Sequence, residues 1–294
     1  MDKLLGQLST REGGTIENAN TWLITGVSSG FGRELASQLL AAGKTVVGTV
    51  RRAEAAADLA AAYPETFDLQ TLDVRETAEV TEVVDAAWAR HGRIDVVVSN
   101  AGYGLFGCAE ELSDEEVDRI IATNLRGSIA LIRAALPHLR ARRGGRIVQI
   151  SSYGGTVAYA ANSMYHATKF GIEGFCESVA QEMAPFGVGV SIVEPGGART
   201  EFRYGSARVA ELMPEYEHAH GFLAMLDPAN GLAPGDPVRM CERIVESVAA
   251  EPAPLRLVLG HRALDESIRV AAERLGAFEA QRAVADSVDF APGE

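Results

Sequence analysis

The chain has 294 residues, 47% hydrophobic and 23% charged, a balance that excludes a disordered, collagen-like or disulfide-framed protein. Its 27 Lys and Arg against 40 Asp and Glu leave a formal net charge of −13, which argues against nucleic-acid and membrane-surface partners and confines any bound anion to a local site. Cys108, Cys176 and Cys241 are scattered without CxxC spacing, and no long apolar run with a cleavage site is present, so the expectations are no metal, a reducing cytoplasm and no membrane span.

Residues 1–20 read as a polar extension. From Thr21 onward short β-branched runs alternate with helix-patterned stretches, predicting strands at 22–25, 45–50, 67–73, 94–99, 146–151, 188–194 and 255–259. Runs such as IDVVVS and RIVQIS are almost continuously apolar, as expected of strands covered on both faces. The implied fold is α/β, a doubly wound parallel seven-stranded sheet with helices on both faces. Ser113-Asp114-Glu115-Glu116 is an S-x-x-E capping box opening the helix that carries Asn124, and Gly43 and Gly187 suit helix C-termini. No linker or repeat divides the chain, so residues 21–260 form one expected domain, followed by a helical tail at 261–294. The long connection 197–237 is rich in Tyr, Phe, Met, Pro and Gly, and reads as a lid or as a surface excursion packed for stability alone.

Thr25-Gly26-Val27-Ser28-Ser29-Gly30-Phe31-Gly32 follows the first strand and opens a helix, the context of a dinucleotide site. Gly26 allows the tight turn, Gly30 a close approach of backbone amides to a pyrophosphate, and Gly32 close packing of helix on strand. The second strand ends at Val50-Arg51-Arg52, where an NAD site would place an acid against the ribose diol. A guanidinium there pairs with a 2′-phosphate instead, so NADP(H) is favoured over NAD(H), with Arg51 or Arg52 as the reader or both merely capping a turn. Tyr165 and Lys169 stand four residues apart, which puts a phenol and an ammonium on one helix face, and the ammonium is expected to lower the phenol's pKa. Ser152 ends the fifth strand, Asn100-Ala101-Gly102 the fourth and Pro195-Gly196 the sixth, at the edge where open α/β sheets place ligands. Asn124 inside its helix reads equally as a site residue or as solvent-facing.

In order and spacing, TGVSSGFG, SNAG, Asn124, Ser152, Tyr165-x-x-x-Lys169 and PGGART resemble the short-chain dehydrogenases/reductases of single-domain Rossmann fold, and the longer C-terminal half resembles their carbonyl, retinol and hydroxysteroid branch. The resemblance implies hydride transfer between nicotinamide and a ketone, secondary alcohol or aldehyde. Tyr165 would be the general acid/base, Ser152 would hydrogen-bond the substrate oxygen, Lys169 would hold the nicotinamide ribose, and Asn124 would position a water. Ser28, Ser29 and Phe31 would complete the phosphate loop, Asp73 and Val74 would meet the adenine, Asn100, Ala101 and Gly102 the adenosine side, and Pro195, Gly196 and Thr200 the nicotinamide half. A homodimer or homotetramer is implied in the same way. Phe106, Tyr153, Tyr159, Phe202, Tyr204 and Phe222 are the expected substrate pocket, suited to an apolar or aromatic carbonyl compound, although each ring could equally pack the lid against the body. Arg199 and Arg203 are the charged exceptions. Two other readings of the same residues are an idle NADP-binding sensor and an epimerase or dehydratase that retains its cofactor.

Overall fold

The computed structural model describes residues 19–290, so nearly all of the expected extension 1–20 lies outside the described residues. In chain order the elements are β1 (Thr21–Thr25), α1 (Gly30–Ala41), β2 (Thr45–Val50), α2 (Ala57–Ala62), β3 (Phe67–Thr71), α3 (Thr77–His91), β4 (Val96–Ser99), β5 (Leu105–Phe106), α4 (Asp114–Ile120) and α5 (Gly127–Arg142). They continue as β6 (Gly145–Ile150), α6 (Ser163–Met183), β7 (Val188–Pro195), α7 (Glu201–Tyr204), β8 (Arg208–Val209), α8 (Phe222–Leu226), α9 (Pro237–Ala249), β9 (Arg256–Leu259), α10 (His261–Glu279) and α11 (Arg282–Asp286). Seven strands pair in parallel in the order β3-β2-β1-β4-β6-β7-β9. The order reverses between β1 and β4, which opens a crevice at their carboxyl ends.

Both faces of the sheet are covered, which explains the continuous apolar runs. On one face Ile24, Val46, Val98 and Val148 pack against Leu35 and Leu39 of α1 and Ile244 of α9. On the other, Leu23, Val97 and Ile147 meet Val84 of α3, Leu131 of α5 and Ile172 of α6. Each such fully buried side chain stabilises the fold by about 1.5–3 kcal/mol.

The Ser113 capping box forms as predicted. The Ser113 hydroxyl accepts the Glu116 N–H at 3.3 Å, and Glu116 Oε2 accepts the Ser113 N–H at 3.0 Å. Between α4 and α5 the helix does not simply continue, because Ile121–Arg126 forms a π-helical turn that carries Asn124. Such turns insert an extra residue and re-aim side chains, often at functional positions.

Several boundaries differ from the sequence reading. β3 ends at Thr71 rather than 73, which leaves Asp73 and Val74 in the loop over the crevice, and β4 begins at Val96 rather than 94. Residues 197–237 hold α7, α8 and β8, and β8 pairs in parallel with β5, Leu105 opposite Arg208 and Phe106 opposite Val209. Two-residue strands are too short to leave an alternation that sequence reading could detect.

Candidate active site

The crevice is a cleft of about 700 Å³. Its floor begins with β1. After Thr25 the backbone turns at Gly26 (φ +74°), whose N–H, with that of Val27, donates to Thr49 O at 2.9 and 3.0 Å. Gly30 (φ +58°) then opens α1, with no acidic residue in its first turn and no side-chain cap bonded to it, so its free amides remain available to an anion. Gly26, Ser28, Ser29, Gly30 and Phe31 all line the cleft. Gly32 does not; it lies beneath, where a Cβ would come within 2.4 Å of Asn100 Nδ2 and Gly26 O. Asn100 stitches the two strand ends, its Nδ2 donating to Thr25 O (2.8 Å) and Gly26 O (3.1 Å), while the N–H groups of Asn100 and Ala101 donate to Thr25 Oγ1 at 3.0 and 3.2 Å.

At the far end of the glycine loop, Arg51, Asp73 and Val74 line the cleft; Arg52 is exposed and does not. Arg75, which sequence reading passed over, also lines it and grips Asp73 with two nitrogens, Nε at 3.0 and 3.1 Å and Nη2 at 2.7 Å. That bond, helped by the charge of Arg51, holds the Asp73 carboxyl below its ordinary range. An i, i+2 pair in a loop carries no periodic signature, so nothing in the sequence marked Arg75. These residues fit a dinucleotide: a glycine cradle with free amides in the middle, and the Arg51 guanidinium at one end.

Asn124 is buried at 1% exposure and does not line the cleft. Its Oδ1 accepts the Tyr103 N–H at 3.0 Å and its Nδ2 donates to Tyr103 O at 2.8 Å, so the side chain holds the loop after Gly102. That corrects the solvent-facing alternative.

Ser152, Tyr165 and Lys169 meet at the cleft's inner end, brought together by the end of β6 and the first turns of α6. Lys169 Nζ lies 5.6 Å from the centre of the Tyr165 ring and donates to Ile150 O at 3.0 Å. The expected lowering of the phenol is not found. Burial pushes the Tyr165 phenol up, with the Ser152 hydroxyl beside it working the other way, because the ring is closed in by apolar neighbours including Phe202 at 5.9 Å. Burial instead lowers Lys169, to about 8. His166, next in sequence, faces elsewhere: its Nδ1 bonds Gly154 O at 2.8 Å and its Nε2 accepts the Tyr159 N–H at 3.3 Å, pinning the turn after Ser152. Among the described residues no cluster of His, Cys, Asp and Glu could hold a metal ion, and no helix is long and apolar enough to cross a membrane.

Pro195, Gly196 and Thr200 border the same end. Of the expected pocket aromatics, Phe106, Tyr153, Tyr159 and Phe202 line the cleft. Tyr204 and Phe222 do not, which corrects the sequence reading: the Tyr204 hydroxyl accepts the Ala233 N–H at 2.9 Å, and Phe222 stacks behind Phe106 at 5.4 Å. Both pack the 197–237 segment rather than facing a ligand. Arg199 is likewise occupied, donating to Ala233 O at 2.7 Å.

The family model described as short chain dehydrogenase matches residues 20–208. The chain is 36% identical over 255 residues to human retinol dehydrogenase 8, covering 80% of each protein. It is similar to the crystal structure of a short-chain dehydrogenase from Streptomyces avermitilis, with 40% identity and a TM-score of 0.87 over 93% of this chain and 99% of that one. It is also similar to a structure of ElxO with NADP bound, with 25% identity and a TM-score of 0.69 over 84% and 99% of the two chains.

Proposed function

The chain belongs to the short-chain dehydrogenase family, in its retinol and hydroxysteroid branch, and from that premise we propose that this oxidoreductase uses NADP(H) to interconvert an apolar or aromatic ketone, or an aldehyde, and its alcohol. The observation that carries the reading is the meeting of Ser152, Tyr165 and Lys169 at one end of a cleft whose other end holds the glycine loop and Arg51. NADPH, when bound, supplies a hydride to the carbonyl carbon. Tyr165 gives a proton to the carbonyl oxygen, and the burial that raises its pKa keeps the phenol protonated and ready for that step. Ser152 donates a hydrogen bond to the same oxygen, stabilising the charge that develops there. Lys169 holds the ribose hydroxyls, and its ammonium favours Tyr165 as the base in alcohol oxidation. Asn124 acts as a positioning residue through Tyr103.

Arg51 supports NADP(H) over NAD(H), since Arg51 and not Arg52 lines the adenosine end. An apolar substrate is supported by Phe106, Tyr153, Tyr159 and Phe202 around the inner end and by the name of the retinol-dehydrogenase relative. Residues 197–237 serve as the lid, because Phe202, Arg203, Ser206, Arg208 and Met225 reach the cleft from that side. Exposed Ile268, Leu275 and Phe278 on α10 support self-association as a homodimer or homotetramer.

The test follows loss of reduced-nicotinamide absorbance with NADPH and with NADH over aromatic, steroid-like, aliphatic and sugar carbonyls. Turnover with NADPH and an apolar ketone or aldehyde is expected. Preference for NADH overturns the role given to Arg51, and turnover confined to sugars overturns the substrate class.

A further inference from the structure

A buried ionic cluster lies behind Ser152 and Lys169. Glu173 follows Lys169 by four residues on α6 and is only 2% exposed. Its Oε1 accepts the Ser151 hydroxyl at 2.6 Å, and Ser151 is the residue directly before Ser152. On the other side of Ser152 the chain runs so close that a Cβ at Gly155 would fall 1.8 Å from the same Oε1. The second carboxylate oxygen of Glu173 meets Arg256 of β9, whose guanidinium also bonds Glu177 of α6 and Glu194 of β7. One guanidinium thus answers three carboxylates, two of them almost wholly buried, and Arg274 of α10 lines the same cavity as Glu194 and Arg256. Lys169, one helical turn from Glu173, is a buried cation whose charge the Glu173 carboxylate favours.

We propose that Glu173 is a positioning residue for the reaction: its carboxylate fixes the backbone on both sides of Ser152 and keeps Lys169 in the ammonium form. The proposal rests on the reading of Ser152, Tyr165 and Lys169 as catalytic residues. Burial works against the Lys169 ammonium, and the charge of Glu173 works for it. Burial also pushes the Glu173 carboxyl up, assisted by Glu194, while Arg256 and Ser151 hold it toward the ionised form. Of the other groups nearby, the Tyr165 phenol and the Cys176 thiol are raised by burial and therefore neutral through the neutral range, the Tyr153 phenol lies beside Tyr165, and Arg274 of α10 lines the cavity beside Glu194 and Arg256. Lys169 is consequently the group whose titration near pH 8 responds to Glu173.

The experiment measures NADPH binding by fluorescence, and kcat with a ketone, across the neutral to alkaline range in the full chain, for the wild type, Glu173→Gln, Glu173→Asp and Glu194→Gln. In the wild type both quantities should fall as pH rises through about 8, where Lys169 loses its proton. Glu173→Gln should move that alkaline limb down by about one pH unit and lower kcat about tenfold. Glu173→Asp, which keeps the charge, should leave the limb in place, and so should Glu194→Gln, which removes a carboxylate of the same cluster but not the contact with Ser151. A limb that stays put in Glu173→Gln while kcat or Tm falls overturns the proposal, because loss of packing alone does not move it. If Glu173→Gln does not fold, a downward shift of the limb in Glu173→Asp overturns the proposal and an unmoved limb supports it. NADPH binding needs no carbonyl substrate, so a limb that follows Glu173 without any turnover would contradict the proposed reaction and leave the link to Lys169 standing.

Discussion

The floor of the cleft and the 197–237 segment above it are held in place by different means. The floor is made by the ends of β1, β4 and β6, parallel strands whose loops are tied by Asn100, Thr25 and Asn124 over distances of 2.8–3.2 Å, with no room for a single added carbon at Gly32. The overlying segment meets the body through few polar contacts. The main one is the buried carboxylate of Glu111, which accepts the N–H of Cys108 at 2.6 Å and of Met213 at 2.8 Å and bonds His220 Nε2 at 2.7 Å. Beyond it there are the Tyr216 hydroxyl, which donates to Glu110 Oε2 at 2.6 Å, the two-residue pairing of β5 with β8 and the small aromatic cluster of Phe106 and Phe222. Ser152, Tyr165 and Lys169 stand beside the closely tied floor, while of Phe106, Tyr153, Tyr159 and Phe202 only Phe202 comes from the segment with few anchors. Precise placement is needed for proton and hydride transfer, and adjustable contact is enough for an apolar ligand.

Single-atom changes on the two sides should therefore differ widely in effect. Gly32→Ala drives a methyl into Gly26 O and Asn100 Nδ2; it should weaken NADPH binding about 100-fold and cost about 1–3 kcal/mol of stability, read by fluorescence titration and denaturant unfolding. Arg51→Ala leaves the floor intact but removes the guanidinium from its adenosine end, and should cut the NADPH-over-NADH ratio of kcat/KM at least about tenfold. Glu111→Gln loosens the upper segment; substrate KM should rise about fivefold while the Kd for NADPH stays as it was. Burial alone would raise the Glu111 carboxyl, but donation from Met213, Cys108 and His220 holds it below its ordinary 4.5. Its contribution is therefore present above that value and lost as pH falls further, so proteolysis of 197–237 should quicken in acid before the body unfolds. At the small end, Gly221→Ala in the upper segment meets nothing within 4 Å and should change stability by less than about 0.5 kcal/mol. If Gly32→Ala proved as harmless as Gly221→Ala, the contrast between the two sides would be lost.

The sheet was legible in the sequence because strands buried on both faces leave unbroken apolar runs, and the Ser113 capping box because it is local. The placing of Tyr165 and Lys169 on one helix face needed only the i, i+4 rule, and the structure sets both at the inner end of the cleft. What sequence could not supply was the environment. The Tyr165 phenol goes up rather than down because of burial, a property of the assembled walls. Arg256 lies 83 residues from Glu173, and no spacing rule links them. Aromatic content placed Tyr204 and Phe222 in the pocket, yet the same content serves equally well to pack a long segment against itself, and that is their place.

The most direct test of the central claim, that Tyr165 is the proton donor of an NADPH-dependent carbonyl reductase, is to compare the wild type with Tyr165→Phe in NADPH oxidation by an apolar ketone while measuring NADPH affinity in the same preparations. A loss of kcat of about 10²–10⁴-fold is expected, with Kd for NADPH unchanged within about twofold. Turnover that survives the loss of the phenol would contradict it.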